Sequence, residues 1–206
     1  LARGFFEAFE GAGKKISLSY MRGGLNRLET VRTKRSDFAI VSKMTADNIL
    51  LKYPNLKIFK RFGVESYVSS HKIFLANRED HTIYDGMRVG VDVESTDQTE
   101  LTYSEFNGLS VEYVHINYMQ LFDMLDSKKI DAAVWSSDDK RLMKAFPSIG
   151  FKVPRTIELS EDTSEAVIVI DGEREEEFIE KWGSVQLQDI LDIQRQVEKG
   201  VKMPKY

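Results

Sequence analysis

Asp37-Phe38-Ala39-Ile40-Val41-Ser42 and, 94 positions later, Asp131-Ala132-Ala133-Val134-Trp135-Ser136 decide how this chain reads. Each run opens on Asp, continues with apolar residues and closes on Ser, a pattern expected of a short buried strand. The similarity continues upstream. The same shift places Leu25 on Met119, Leu28 on Phe122 and Val31 on Leu125, apolar residues at helical spacing, and a basic turn follows in both copies. Each copy is therefore an amphipathic helix, a turn and a strand, half of a crossover that is right-handed when its strands are parallel. Two such halves predict an α/β chain.

Elements of the same kind extend in both directions. Upstream, a helix over Arg3–Phe9 and a strand over Ile16–Met21 are expected, the strand ending at Arg22-Gly23-Gly24. Downstream of Ser42 follow a helix over Thr45–Leu51, a strand over Leu56–Phe62 and an extended segment from Ser66 to Ala76. Beyond Asp85-Gly86, a strand over Met87–Val91 leads to Ser95, which has capping-box spacing to Gln98 for a helix reaching Phe106. Then come a strand over Val111–Ile116, a helix over Tyr118–Lys129, the second copy's strand and a helix over Asp138–Ala145. The tail reads as an extended segment through Val153 and Ile157, a strand over Ala166–Ile170, an acidic helix over Glu173–Trp182 and a last helix from Val185 to Lys199.

Composition narrows the class. The 206 residues are 42% hydrophobic and 30% charged, which excludes a disordered tail. A net charge of −4 gives no global positive field for nucleic acid or anionic lipid, so any DNA contact belongs to another segment. There is no cysteine, which removes disulfides, thiolate metal sites and cysteine nucleophiles and fits a reducing, cytoplasmic compartment. The longest aliphatic run, Ala166–Ile170, is far below the roughly 20 residues of a membrane span. The chain opens on Leu1 without a signal-like segment, so a fragment of a longer protein is expected.

Several local patterns have simple accounts. Gly11-Ala12-Gly13-Lys14 lacks the Ser or Thr of a phosphate loop and precedes a strand, so it reads as a helix C-cap. His71, His81 and His115 have no metal-ligand spacing, and no metal or cofactor is expected. The carboxylates Glu173, Glu175, Glu176, Glu177 and Glu180 and the bases Arg27, Arg32, Lys34 and Arg35 read as solvated faces. The polar ends of the strands say more. Arg22 with Gly23 and Gly24, Ser42 with Lys43, Ser95 with Thr96 and Asp97, and Ser136 with Ser137 and Asp138 fall where open α/β sheets bind ligands. Helix N-termini and hydroxyls there, with Arg22 and Lys43, would complement a small anionic or zwitterionic metabolite.

Tyr20-Met21-Arg22-Gly23-Gly24-Leu25-Asn26-Arg27-Leu28-Glu29-Thr30-Val31, Arg35-Ser36-Asp37-Phe38-Ala39-Ile40-Val41-Ser42, Tyr84-Asp85-Gly86-Met87-Arg88-Val89-Gly90-Val91 and Lys129-Ile130-Asp131-Ala132-Ala133-Val134 together resemble type II periplasmic-binding-protein-like domains. More narrowly, the chain resembles the YhfZ C-terminal domain family of bacterial transcription regulators, in which a winged helix-turn-helix precedes a domain of this type. The resemblance covers nearly the whole chain. It implies two α/β lobes, residues 1–75 with 165–206 and residues 76–164, joined by extended crossovers near Val68–Leu75 and Leu159–Val167. It further implies a ligand site in the interlobe cleft made by Arg22, Gly23, Ser42, Lys43, Ser95, Thr96, Asp97, Ser136 and Ser137. The expected function is effector sensing without catalysis in a cytoplasmic homodimer that reaches DNA only through a winged helix outside this chain. The alternative is a solute-binding protein serving a transporter. An enzyme using Asp97, Asp138 or His115 as acid or base is a third, weaker possibility, because no nucleophile and base stand at meaningful spacing.

Overall fold

The computed structural model describes residues 1–204. Nine α-helices and two sheets of three and five strands occur among the described residues. The first sheet has the order β1 (Phe38–Ser42), β8 (Ala166–Asp171), β2 (Leu56–Arg61). The second has the order β5 (Glu112–His115), β4 (Arg88–Val91), β6 (Ala132–Ser136), β3 (His71–Leu75), β7 (Ser148–Ile149). The two sheets, each with its helices, make a two-lobed α/β molecule.

Strand β8 explains the first lobe. All six of its residues are buried, because helices cover both faces of the sheet. Ala166, Ile168 and Ile170 face a core with Phe5 and Phe9 of α1 (Ala2–Gly11), Phe178 and Trp182 of α8 (Glu175–Trp182), and Ile190 of α9 (Leu187–Glu198). Val167 and Val169 face the other way, onto Leu28 and Val31 of α2 (Gly24–Arg32) and Ala46 and Ile49 of α3 (Lys43–Leu50). The period of two along the strand thus feeds two cores. Strand β6 repeats the arrangement: Ala132 and Val134 pack with Leu101 and Phe106 at α4 (Thr96–Glu105), and Ala133 packs with Leu121 and Leu125 of α5 (Leu121–Asp126).

The repeat read from the sequence survives in three dimensions. Ser42 and Ser136 each end a strand, and each stands opposite the first residue of an antiparallel neighbour, Ala166 of β8 and His71 of β3. These neighbours are the two strands that carry the chain between the lobes. Just before them the crossings run side by side, with Tyr67 N donating to Ser164 O at 2.8 Å and Ala166 N donating to Ser66 Oγ at 2.9 Å.

Several expectations need correction. Residues 16–21 form no ladder. Ile16 and Leu18 rest half-buried on the first core while Ser17 and Ser19 face solvent, so their alternation reports one-sided packing without a partner strand. In the first lobe β1 and β2 are not adjacent, since β8 returns between them and pairs antiparallel with both. Parallel pairing is found in the second lobe, where β4 runs with β5 and β6. The segment through Val153 and Ile157 is helix α7 (Pro154–Ser164). Pro154 stands in its first turn, where no intrahelical N–H is needed, and buried Thr156 and Thr163 recur at helical spacing. Extended backbone begins only at Glu165, so the return crossing is shorter than the Leu159–Val167 expected. Finally, Ser95 begins α4 without a side-chain cap bond. Gln98 instead clamps the end of β4, accepting from Asp92 N at 2.7 Å and donating to Gly90 O at 3.0 Å. The remaining elements differ at their ends, except that residues 118–120 form a 3-10 turn before α5 and 172–174 another before α8. Strand β7 and helix α6 (Lys140–Ala145) complete the second lobe. Ala12 is the C-cap of α1, and Gly13 after it, at φ +70°, turns the chain away with its N–H donating to Glu10 O.

Candidate functional site: the cleft between the lobes

Three helix starts from the two lobes meet here. Helix α2 begins after Gly23, whose φ of +79° lies in the region glycine tolerates. A Cβ on Gly24 would come within 2.6 Å of Thr45 Cγ2, so the absence of a side chain lets α2 approach α3. Helix α3 is capped by Ser42, whose Oγ accepts from Thr45 N at 3.1 Å. Opposite them, on the second lobe, Asp92 directly follows β4 and α4 begins after Ser95.

The contacts across the cleft are ionic and short. Arg22 donates through Nη2 to both oxygens of Asp92, at 2.7 and 2.6 Å, and through Nη1 it pairs with Glu94 at 2.9 Å. Its guanidinium also lies 4.6 Å from the centre of the Tyr118 ring, a cation–π geometry. The Asp92 side chain is buried, while Arg22 is half-buried. In the other direction Asp97, in the first turn of α4, reaches the N-terminus of α3: its Oδ1 accepts from Ser42 Oγ at 2.6 Å and from Thr45 Oγ1 at 2.9 Å. Burial pushes the Asp97 carboxyl above its ordinary pKa, against the pull of those two hydroxyls and of Arg27.

Arg27 corrects a further expectation. Its side chain is half-buried, its Nη2 donates to Tyr67 Oη at 2.6 Å, and its buried Nε has no partner. Burial raises the Tyr67 phenol pKa, with Arg27 opposing. Helical spacing placed Arg27 on a charged face, and a single sequence holds no signal that the crossing residue Tyr67 would cover it. Arg32 and Lys34 do lie on the surface, paired with Glu29 and Glu173. The acidic helix is likewise a solvated face, with Glu177 bridging Arg174 and Lys181 and held down to a pKa of about 2 by them.

The other expected residues divide. Lys43 Nζ is held by Asp47 of α3 at 2.7 Å and Asp162 of α7 at 3.2 Å, bonds that raise its pKa. Ser137 Oγ lies 2.7 Å from Ser70 Oγ and braces the β3 crossing, while Ser136 Oγ accepts locally from Asp138 N at 3.1 Å. Asp138 accepts in turn from Ser69 N at 2.9 Å. Thr96 opens α4 beside Asp97. Of the nine residues, Arg22, Gly23, Ser42 and Asp97 thus come together across the cleft, with Ser95 and Thr96 at its margin. The site elements absent from the sequence reading are Asp92, Thr45, Tyr67 and Tyr118. A surface depression of about 530 Å³ lies elsewhere, between α1 and α9.

The model of the YhfZ C-terminal domain matches residues 1–206, the entire chain. The chain belongs to the YhfZ C-terminal domain family. A relative, YhfZ of Escherichia coli (strain K12), is 29% identical over 136 residues, which are 66% of this chain and 43% of that protein. The chain therefore matches less than half the length of that relative. Among solved structures, YhfZ from Shigella flexneri superposes with a TM-score of 0.74 at 24% identity, covering 98% of this chain and 86% of that one. The periplasmic aliphatic sulphonate binding protein SsuA from Escherichia coli gives 0.62 at 13% identity, with 96% and 72% covered. The methionine binding protein MetQ gives 0.63 at 15%, with 97% and 90% covered. The YhfZ C-terminal domain therefore has the type II periplasmic-binding-protein fold, shared with proteins that hold small molecules. No helix of the domain is long and apolar enough to cross a membrane among the described residues.

Proposed function

We propose that this domain is the ligand-sensing part of a bacterial transcription regulator, with the ligand bound between the lobes. The observation that carries this reading is the convergence of Arg22, Ser42 and the start of α3 from one lobe on Asp92, Asp97 and Tyr118 from the other. Polar groups from both sides of a hinged cleft are what a ligand needs to favour one lobe arrangement over another. The lobes comprise residues 1–75 with 165–206 and residues 76–164, with β3 counted in the first by sequence but hydrogen-bonded into the second lobe's sheet. The ligand is a small anionic or zwitterionic metabolite. The protein is a cytoplasmic homodimer, and DNA is reached through a winged helix outside this chain. No chemical step is assigned to the cleft, and turnover of a bound ligand would reverse that assignment.

A second reading, delivery of a solute to a transporter, is favoured by the likeness to SsuA and MetQ. The codons upstream of Leu1 separate the two, as a winged helix or an export signal. Ligand binding itself is tested by a thermal-shift screen against small carboxylates, amino acids and phosphorylated metabolites. At about 100 times the dissociation constant, binding adds roughly 2.7 kcal/mol, or about 5–10 °C for a chain of this size. A shift of that size from one chemical class is expected. No shift from any class would leave a lobe pair that binds protein as the better reading.

A further inference from the structure

Two anion-seeking features of the first lobe already hold a carboxylate of the second. Arg22, half-buried at the cleft, holds Asp92 through two bonds, and the N-terminus of α3 holds Asp97 through Ser42 and Thr45. A ligand carboxylate or phosphate would choose the same partners, since a guanidinium and a capped helix start are where negative charge is stabilised.

We propose that Asp92 and Asp97 are built-in stand-ins for the anion of the ligand, so that the empty domain latches itself shut and the ligand must displace the latch. This rests on the cleft being the sensing site, but not on the identity of the ligand. The two contacts are reciprocal in position. Arg22 reaches from the loop before α2 to the end of β4, and Asp97 reaches from the first turn of α4 to the start of α3. A rotation that opens the cleft breaks both. Glu94 and the Tyr118 ring add to the Arg22 end, so the pair is held by more than one charge. The two carboxylates set a threshold, because a ligand displaces them only where it offers Arg22 and the α3 start better bonds than they do. A ligand present at low concentration is then ignored.

Small-angle scattering on the ligand-free domain tests this. The wild-type radius of gyration should lie near the ~17 Å of a compact chain this long, and Arg22→Ala should raise it while circular dichroism stays unchanged. Arg22 sits in a loop outside the hydrophobic cores, and Asp97→Asn is the second variant should the unpaired, buried Asp92 destabilise Arg22→Ala. Asp97→Asn, with its weaker acceptor, should expand the domain in the same direction, and the double variant at least as far as either alone. Variants as compact as wild type, or a wild type already expanded without ligand, would overturn the latch. The measurement uses no ligand, so its failure leaves the sensing cleft standing, whereas an unresponsive ligand screen beside compact wild type and expanded variants would leave a lobe clamp but remove its role as a ligand stand-in.

Discussion

His71 begins the strand that carries the chain into the second sheet, and its Nδ1 lies 3.2 Å from the Thr163 hydroxyl at the end of α7. Burial lowers its pKa to about 4, against the raising effect of Asp138. The folded ring is therefore neutral at a pH where an unfolded histidine, near 6.5, takes up a proton. The unfolded state binds more protons across that interval, so stability is complete above about pH 6.5 and falls as the pH drops toward 4. The full shift corresponds to on the order of 3 kcal/mol, and the partial solvent contact of the ring makes the loss smaller. Urea titrations at pH 7 and pH 5 should show this loss in wild type and a smaller one in His71→Gln. Equal losses would remove His71 from the account. At this scale the sequence singled out Arg22, Ser42 and Asp97 as polar residues after strands, and the structure sets each of them in a contact between the lobes. It could not reveal Asp92 or Tyr67, whose roles depend on which lobe faces them.

Helix α7 shows how one residue decides an element. Thr156-Ile157-Glu158-Leu159 alternates like a strand, and Pro154 suits either an edge strand or a helix start. The deciding group is distant in sequence. Glu105, buried at the end of α4, accepts from Lys152 N at 2.7 Å and Val153 N at 3.2 Å, fixing the chain just ahead of α7. Glu105→Ala should cost about 2–4 kcal/mol by leaving those amides without an acceptor, and Glu105→Gln less, read as a fall in the urea midpoint at unchanged m-value. A loss under about 1 kcal/mol would mean that water replaces the carboxylate. Strand β8 was legible because an unbroken aliphatic run of five to six residues suits a strand covered on both faces. The order of strands was not, because no local pattern says that a late strand will come to lie between two early ones.

Across the whole molecule, stability is concentrated where both faces of a strand are covered. Strand β8 is buried along its full length and paired on both edges, while β7 is two half-buried residues at the margin of its sheet. Hydrogen exchange read by mass spectrometry should find β8 among the last amides to exchange and β7 among the first. Comparable rates in the two would show that the domain opens as one unit. Gln194 of α9 donates to Ser66 O at 3.0 Å, so the last helix is tied to the segment that crosses between the lobes.

The position of β8 also fixes an order of events during synthesis. The second lobe is one continuous stretch, and its sheet has all its strands once Ile149 has left the ribosome. The first lobe has β1 and β2 from early on, yet neither pairs with the other, and both wait for Ala166–Asp171. Until then the nascent chain carries two unpaired strand edges beside a finished neighbour. A chaperone that shields strand edges would find its substrate in that interval, and the lobe translated first would be the one folded last.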